Sequence, residues 1–392
     1  MSWYDHLARW CADPATQEVL GSGVSCHVCT TGSGDTVFAH DAAVPRRPGS
    51  LVKLVTAVAA LRSLGPAHTF GTDVCVDSRG TLYLRGGGDV ELTTTRLMQL
   101  ARDTAAAVAQ TRPQTSSPPL RVVVDPSLFP PPTPAPGWRP DYYPLEVRPV
   151  VPLALADYFA LDVNEAVGEY FAAALREVDV AAEFSGVGVT PRSAMAVADM
   201  RSAHVAATVN TMLLDSSNPR AESLFRLTAL ARGEPASWSS GSAAAVAVLR
   251  ELNCATAGVV ITDGSGLSAH ARLRADTVTA LLRAIATPSR FPELASIRRD
   301  GGLPLAGISG TLSSAHGWFS GDRFAQTRGR IWAKPGIVGS TIALAGLVPT
   351  GLADAGHDLA FCVVADQRPL TASLQSAKEC VASFATLLTC AA

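Results

Sequence analysis

The chain has 392 residues, a formal net charge of −2 at pH 7, 47% hydrophobic residues and 17% charged residues. This length accommodates two domains and a large core, and the composition is ordinary for a globular protein. A charge so close to zero argues against a nucleic-acid partner, and no run of about 18 apolar residues predicts a membrane span.

The N-terminal segment, MSWYDHLARWCADP, is polar and predicts an amphipathic helix. It lacks the basic start, apolar run and small-residue cleavage site of a secretory signal. We therefore expect a cytoplasmic protein. The alternative is an exported protein whose signal peptide is absent from this sequence.

Eight cysteines are scattered along the chain without the dense spacing of a disulfide framework, which favours a reducing compartment. Cys26 and Cys29 form a CxxC pair, but no second pair follows at a distance suited to zinc. The segment around them alternates like a strand, which places the two side chains on opposite faces. We expect both to be core residues, and we predict neither a metal nor an organic cofactor.

Residues 22–30 and 35–39 predict a strand pair. A helix is predicted from Gly49-Ser50 to about Leu64, where Gly65-Pro66 ends it. From about residue 73 to 191, strands and helices alternate around a proline-rich loop at 129–140, which predicts an inserted α+β subdomain. The predicted strands there are VCVDS, TLYLRGGG and LRVVVD, and the helices are TTTRLMQLARDTAAAVAQ and DVNEAVGEYFAAALREV.

Helices dominate after residue 195, and the last part of the chain predicts antiparallel strands and a final helix at about 371–388. The expected fold is α/β, of the α+β type, with one sheet built from both chain ends. Residues 1–72 and 192–392 form the main domain and 73–191 the insertion. The predicted helices are SAHVAATVNTMLLD, PRAESLFRLTALA, SGSAAAVAVLREL and ADTVTALLRAIA, and the strands are AGVVIT, RGRIWAKPG, STIALAGLVP and DLAFCVVAD.

Lysine is rare in this chain. Only Lys53, Lys334 and Lys378 are lysines, and the other 29 of the 32 basic residues are arginines. A desolvated lysine can lose its proton and act as a base, whereas arginine stays protonated. Lys53 lies one helical turn after Ser50, on the same face. Taken alone, Ser50 is better explained as a helix N-cap and Lys53 as a surface lysine than as catalytic residues. Lys378 is expected to be a solvated helix residue.

Two of the three lysines lie in motifs that belong together. These are Ser50-Leu51-Val52-Lys53, Ser216-Ser217-Asn218 on a predicted interhelical loop, and Lys334-Pro335-Gly336. Ser-x-x-Lys, Ser-x-Asn and Lys-x-Gly form the signature of penicillin-recognising serine enzymes. Five further segments occur in matching order, and the chain resembles the low-molecular-mass class C penicillin-binding proteins from residue 7 to 385. The segments are LYLRGGGD, VVVDPSLF, ITDGSGLSAHAR, LPLAGISGTL and AKPGIVGSTIALAGLVP.

This D-alanyl-D-alanine carboxypeptidase/endopeptidase family has a DD-peptidase/β-lactamase-like fold. The resemblance implies that Ser50 forms an acyl-enzyme and that neutral Lys53 accepts the serine proton. It also implies that Ser216 relays a proton to the leaving group. Asn218 would hold Lys53 and the substrate amide, and Lys334 would add positive charge beside the nucleophile.

The same resemblance implies an oxyanion hole made by the backbone N–H groups of Ser50 and Ile337. The Pro335-Gly336-Ile337 segment would bind substrate, and Asp263-Gly264-Ser265-Gly266 is expected to shape a turn near the cleft. β-Lactams would act as covalent inhibitors.

The chain departs from the family in ways that bear on the substrate. The family usually has Lys-Thr-Gly-Thr where this chain has Lys334-Pro335-Gly336-Ile337, and those threonine hydroxyls help to bind the terminal carboxylate of the substrate. Their loss argues against removal of a C-terminal D-alanine. The span from VVVDPSLF to Ser216 is also shorter than usual, without an additional inserted domain.

These departures, together with the missing signal, lead us to expect an intracellular serine–lysine transacylase or hydrolase of natural-product biosynthesis. It would transfer an acyl group from an ester, thioester or amide, small or peptide-like, to an amine or water. The alternative is a D-alanyl-D-alanine carboxypeptidase/endopeptidase of peptidoglycan. A silent binding protein is disfavoured because all three motifs are present.

Overall fold

The computed structural model describes residues 3–110, 118–158, 160–349 and 358–389. Within these ranges, the helices are α1 Trp3–Ala12, α2 Pro14–Leu20, α3 Val52–Leu64, α4 Thr94–Ala109, α5 Val163–Arg176, α6 Val205–Asp215, α7 Asn218–Ala231, α8 Trp238–Glu251, α9 Ala275–Ala286, α10 Ala295–Arg299 and α11 Leu374–Leu387. The strands are β1 Val24–Thr30, β2 Thr36–His40, β3 Gly71–Val76, β4 Leu82–Gly86, β5 Leu120–Asp125, β6 Ala182–Val187, β7 Met195–Arg201, β8 Trp332–Val338, β9 Thr341–Val348 and β10 Leu359–Ala365.

The first sheet is antiparallel and has the order β2-β1-β10-β9-β8, so it is built from strands of both chain ends, as expected. Helices cover both faces, which is why β9 and β10 are apolar at nearly every position. Along β9, Ala343, Ala345 and Leu347 face one hydrophobic cluster, whereas Ile342 and Leu344 face the other. The expected α/β class with a central antiparallel sheet is confirmed.

The two CxxC thiols lie on opposite faces of β1, as the alternation predicts. Cys26 belongs to the cluster under α1 and α11, and Cys29 belongs to the cluster around α3. All seven cysteines in the described ranges are free thiols, and Cys390 lies outside those ranges. Among the described residues, no group of three His, Cys, Asp or Glu side chains is arranged to hold a metal ion.

The second sheet has the order β6-β5-β4-β3-β7 and packs against α4 and α5. Its β3-β4 and β3-β7 pairs are antiparallel, and its β4-β5 and β5-β6 pairs are parallel. Its strands span residues 71–201, slightly more than the predicted insertion at 73–191, because β7 returns to pair with β3. The division into two domains remains a prediction.

Two local differences from the sequence predictions have simple causes. The predicted strand AGVVIT is wrong: Val260 makes a single bridge to Arg272, and the chain then enters the turn at Asp263. β6 and β7 escape prediction because they are edge strands with largely exposed, weakly alternating side chains.

No helix in the described part of the chain is long and apolar enough to cross a membrane.

Helix α3 is the element that positions the site. Ten consecutive residues, Val52–Leu61, are buried, because the helix runs through the middle of the larger hydrophobic cluster. A helix apolar all round is stable only in such a position. Lys53 is the single charged residue in this run, and its side chain is fully buried.

Candidate active site

The Ser50 side chain lies on a short 3-10 turn, Gly49–Leu51, that leads directly into α3. Its hydroxyl does not cap that turn or the helix, so the N-cap interpretation of Ser50 is wrong. The Lys53 Nζ lies 3.0 Å from the Ser50 Oγ. The surface-lysine interpretation of Lys53 is also wrong, since this side chain is 0% exposed.

Three groups surround the Lys53 amine. Besides Ser50, it contacts the Asn218 Oδ1 at 2.7 Å and the Ser265 carbonyl oxygen at 3.0 Å. The two latter oxygens can only accept hydrogen bonds, whereas the Ser50 hydroxyl can donate or accept. A neutral Lys53 therefore gives its two hydrogens to Asn218 and Ser265 and turns its lone pair towards the Ser50 proton. This is the geometry of a general base.

Burial lowers the pKa of Lys53 to about 8, against the opposing negative charges of Glu222, Asp263 and Glu146. Burial also lowers the pKa of Lys334 well below its usual value, and the positive charge of Lys53 lowers it further. Desolvation is thus the main cause at both amines. The repulsion between the two lysines lowers the pKa of Lys334 and is not among the causes of the lowered pKa of Lys53.

The second motif lies where α6 ends and α7 begins. Ser216 terminates α6 in the left-handed conformation, with φ +56°, and its Oγ accepts a hydrogen bond from the Lys334 Nζ at 2.9 Å. Asn218 is the first residue of α7, and its Nδ2 donates to the Glu146 carbonyl oxygen at 2.9 Å. The five side chains predicted for catalysis therefore form one cluster.

The third motif lies on β8, which is an edge strand of the first sheet. An edge strand tolerates Pro335, whose nitrogen has no hydrogen to donate. Gly336 permits a close approach to the nucleophile turn, because a methyl group there would lie 2.7 Å from the Pro48 carbonyl oxygen and 3.3 Å from the Ser50 nitrogen. The adjacent Ile337 nitrogen lies against Gly49, and its side chain is 37% exposed. The two predicted oxyanion donors are thus neighbours.

The structure buries two carboxyl groups at the site: Glu222, which the sequence reasoning did not single out, and Asp263, which was expected only to shape a turn near the cleft. Glu222 lies on α7, four residues after Asn218, and accepts hydrogen bonds from the Gly264 and Ser265 nitrogens. Asp263 accepts from the Trp138 indole, among other donors. The spacing of Asn218 and Glu222 places them on one helix face and is the signal that could have pointed to Glu222.

Comparison with known proteins agrees with this arrangement. The D-Ala-D-Ala carboxypeptidase 3 (S13) family matches residues 5–158 and 157–387. Carboxypeptidase DacB of Mycolicibacterium smegmatis is 31% identical over 360 residues, which cover 85% of this chain and 74% of that protein. The D-alanyl-D-alanine carboxypeptidase of an Actinomadura species is 28% identical over 449 residues, which cover 90% and 78% of the two chains.

The fold matches that of penicillin binding protein 4 from Haemophilus influenzae, with a TM-score of 0.78 and 19% identity over 97% of this chain and 99% of that chain. The fold and the serine–lysine cluster define a serine hydrolase of the penicillin-binding type, which works by acyl transfer through an acyl-enzyme. The chain belongs to the D-Ala-D-Ala carboxypeptidase 3 (S13) family, and the resemblance to low-molecular-mass class C penicillin-binding proteins is confirmed.

Proposed function

We propose that this protein is a DD-peptidase of peptidoglycan that cleaves D-alanyl bonds through an acyl-enzyme on Ser50. The observation that carries the proposal is the Lys53 amine, which is fully buried, 3.0 Å from the Ser50 Oγ and bound on its other sides only by carbonyl oxygens. The names of the relatives support the peptidoglycan substrate and give no support to the expected role in natural-product biosynthesis.

The first half-reaction forms an ester. The Ser50 Oγ attacks the carbonyl carbon of the D-alanine residue, and the Ser50 proton passes to the neutral Lys53 amine. The negative charge that develops on the substrate oxygen is stabilised by the N–H groups of Ser50 and Ile337. The first N–H groups of a helix have no intrahelical partner and are available for such a role.

Breaking of the C–N bond requires a proton on the leaving nitrogen. Ser216 is placed for this transfer, because its Oγ accepts from Lys334 at 2.9 Å and its own proton is available for a second partner. The Ser216 hydroxyl gives its proton to the leaving nitrogen. It regains a proton from Lys53 and Lys334, which together hold the proton taken from Ser50. Water then attacks the ester, Lys53 accepts a proton from it and returns that proton to the Ser50 Oγ as the acid product leaves. An amine in place of water would give a transfer product.

The third motif bears on which D-alanyl bond is cleaved. Pro335 and Ile337 supply no hydroxyl beside the nucleophile, and Ile337 presents an apolar surface there. A free carboxylate on the leaving residue would have to be desolvated against that surface, which is unfavourable. We therefore propose a preference for leaving groups without a free carboxylate next to the cleaved bond, as in a peptide cross-link to the side-chain amine of a lysine. A peptidoglycan substrate also places the enzyme outside the cytoplasmic membrane, in place of the expected cytoplasmic location.

The nucleophile is tested with a fluorescent penicillin. We expect covalent labelling of the wild-type protein and none of Ser50→Ala. An equally labelled Ser50→Ala variant would refute the acyl-enzyme on Ser50.

The substrate is tested with a stem-peptide dimer cross-linked through a lysine side-chain amine, whose leaving group has no carboxylate beside the cleaved bond, and with a monomer ending in D-Ala-D-Ala. We expect faster cleavage of the dimer, and a gain of D-alanine release in the double variant Pro335→Thr/Ile337→Thr. Equal wild-type rates on both substrates would refute the carboxylate argument. Labelling by penicillin without cleavage of either peptide would refute the peptidoglycan substrate and favour a different acyl donor.

A further inference from the structure

Glu222 is a buried carboxyl group at the centre of the site, with 0% of its surface exposed. Each oxygen accepts one backbone hydrogen bond, from the Gly264 nitrogen at 2.7 Å and from the Ser265 nitrogen at 2.9 Å. Placing a carboxyl group in a protein interior is costly unless it is hydrogen-bonded or balanced by charge. None of the motifs that define the site includes this residue, so its burial calls for an explanation.

The loop that Glu222 binds is fixed on all sides. A methyl group at Gly264 would lie 2.3 Å from the Ala221 carbonyl oxygen of α7. A methyl group at Gly266, which has φ +85°, would lie 1.9 Å from the Gly49 carbonyl oxygen. The loop is therefore packed closely between α7 and the nucleophile turn. The hydrogen bonds of Glu222 fix its distance from α7.

The same loop carries one of the three partners of Lys53. The Ser265 carbonyl oxygen takes a Lys53 hydrogen at 3.0 Å, and the Ser265 nitrogen on the other side of that residue donates to Glu222. A shift of the loop would free that Lys53 hydrogen and allow the amine to turn its lone pair away from Ser50. A single residue, Ser265, therefore connects Glu222 to Lys53, so a displacement of Glu222 would move the Lys53 acceptor directly.

Glu222 also acts through its charge. The charged groups that face Lys53 are Glu222 on α7, Asp263 on the loop, Glu146 on the segment before α5, and Lys334 on β8. Among the three acids, Glu222 has the largest effect in keeping the pKa of Lys53 from falling further. Burial and the negative charge of Asp263 raise the pKa of Glu222 to about 8, whereas the hydrogen bonds from the Gly264 and Ser265 nitrogens and the charge of Lys53 favour the carboxylate.

We propose that Glu222 is a positioning residue for Lys53: it holds the Asp263–Gly266 loop so that the Lys53 lone pair faces Ser50, and its negative charge stabilises the ammonium that Lys53 becomes when it accepts the Ser50 proton. The inference depends on the proposed acyl-enzyme chemistry. Glu222 contributes to acylation in two ways, through the length of its side chain and through its charge. Substitution can remove either one while keeping the other.

The test is the rate of acylation by a fluorescent penicillin between pH 5.5 and 9.5, for the wild type, Glu222→Gln and Glu222→Asp. In Glu222→Gln the charge is lost and an amide NH₂ meets a backbone donor. We expect the pH of half-maximal rate to fall by about one unit and the plateau rate to fall by about tenfold. In Glu222→Asp the charge remains but the reach is shorter, so the plateau falls and the half-maximal pH stays.

Glu91→Gln is the matched control, because Glu91 binds Arg220 on the same helix at 2.9 Å, and we expect it to leave the profile unchanged. Labelling reports only folded molecules, so the half-maximal pH is measurable even where a variant is partly unfolded. A Glu222→Gln profile with the wild-type half-maximal pH would overturn this inference alone. No label on the wild-type protein would overturn the proposed function and this inference with it.

Discussion

The pH dependence of acylation is the most direct consequence of the buried amine at position 53. Only the neutral amine can accept the Ser50 proton, and the pKa of Lys53 is lowered to about 8 by burial. The neutral fraction is then about 1% at pH 6, about 9% at pH 7 and about 50% at pH 8. We expect the rate constant of acylation to rise roughly tenfold per pH unit below pH 7 and to level off above pH 8.5.

A lysine in water has a pKa of about 10.4, so an ordinary surface lysine would give a rate still rising at pH 9.5. The difference between these two profiles is the measurable effect of desolvation. The assay is the second-order rate constant for labelling by a fluorescent penicillin at short reaction times, from pH 5.5 to 9.5, with the folded state monitored by circular dichroism.

Either of two results would refute this reasoning. A profile flat between pH 6 and 8 would show that the base is not an amine of this kind. A rate that is still rising at pH 9.5 would show that Lys53 is solvated in the folded protein, contrary to its full burial in the structure.

Two further predictions use matched variants that the chain itself provides. Lys53→Arg replaces the base with a group that stays protonated and should lower the acylation rate by about 10²–10⁴. Lys378→Arg, at a partly exposed position of α11 where the amine donates to the His316 carbonyl oxygen, should leave the rate unchanged; equal effects would contradict the role of Lys53. Gly266→Ala should lower the melting temperature and abolish labelling, because its methyl group would overlap the Gly49 carbonyl oxygen at 1.9 Å. Gly65→Ala is the control, since Gly65 has a similar φ of +87° with nothing within 4 Å of the added methyl group; an equal loss in both variants would attribute the effect to backbone strain alone.

The sequence was sufficient for elements whose pattern is local. The helix from Val52 to Leu64 and the strand pair at its N-terminal side follow from apolar periodicity and from the Gly65-Pro66 stop, and the structure confirms them. The opposite faces of Cys26 and Cys29 follow from strand alternation alone. AGVVIT shows the limit of such patterns. An apolar run that makes one isolated bridge and then enters a turn has the same sequence pattern as a strand.

By itself, the sequence determined the family and the chemistry: rare lysines in Ser-x-x-Lys and Lys-x-Gly, with Ser-x-Asn between them, already predict the set of side chains that the structure brings together. Only the tertiary structure decided how far each lysine is removed from water and which carboxyl groups oppose their charge. These quantities depend on atoms from α3, α7, β8 and the loop at Asp263, which are distant in sequence and meet only in the folded chain. Glu222 is the clearest case. From the sequence, a glutamate in a helix is expected to be solvated, and its burial follows only from the loop that packs against it in the folded chain.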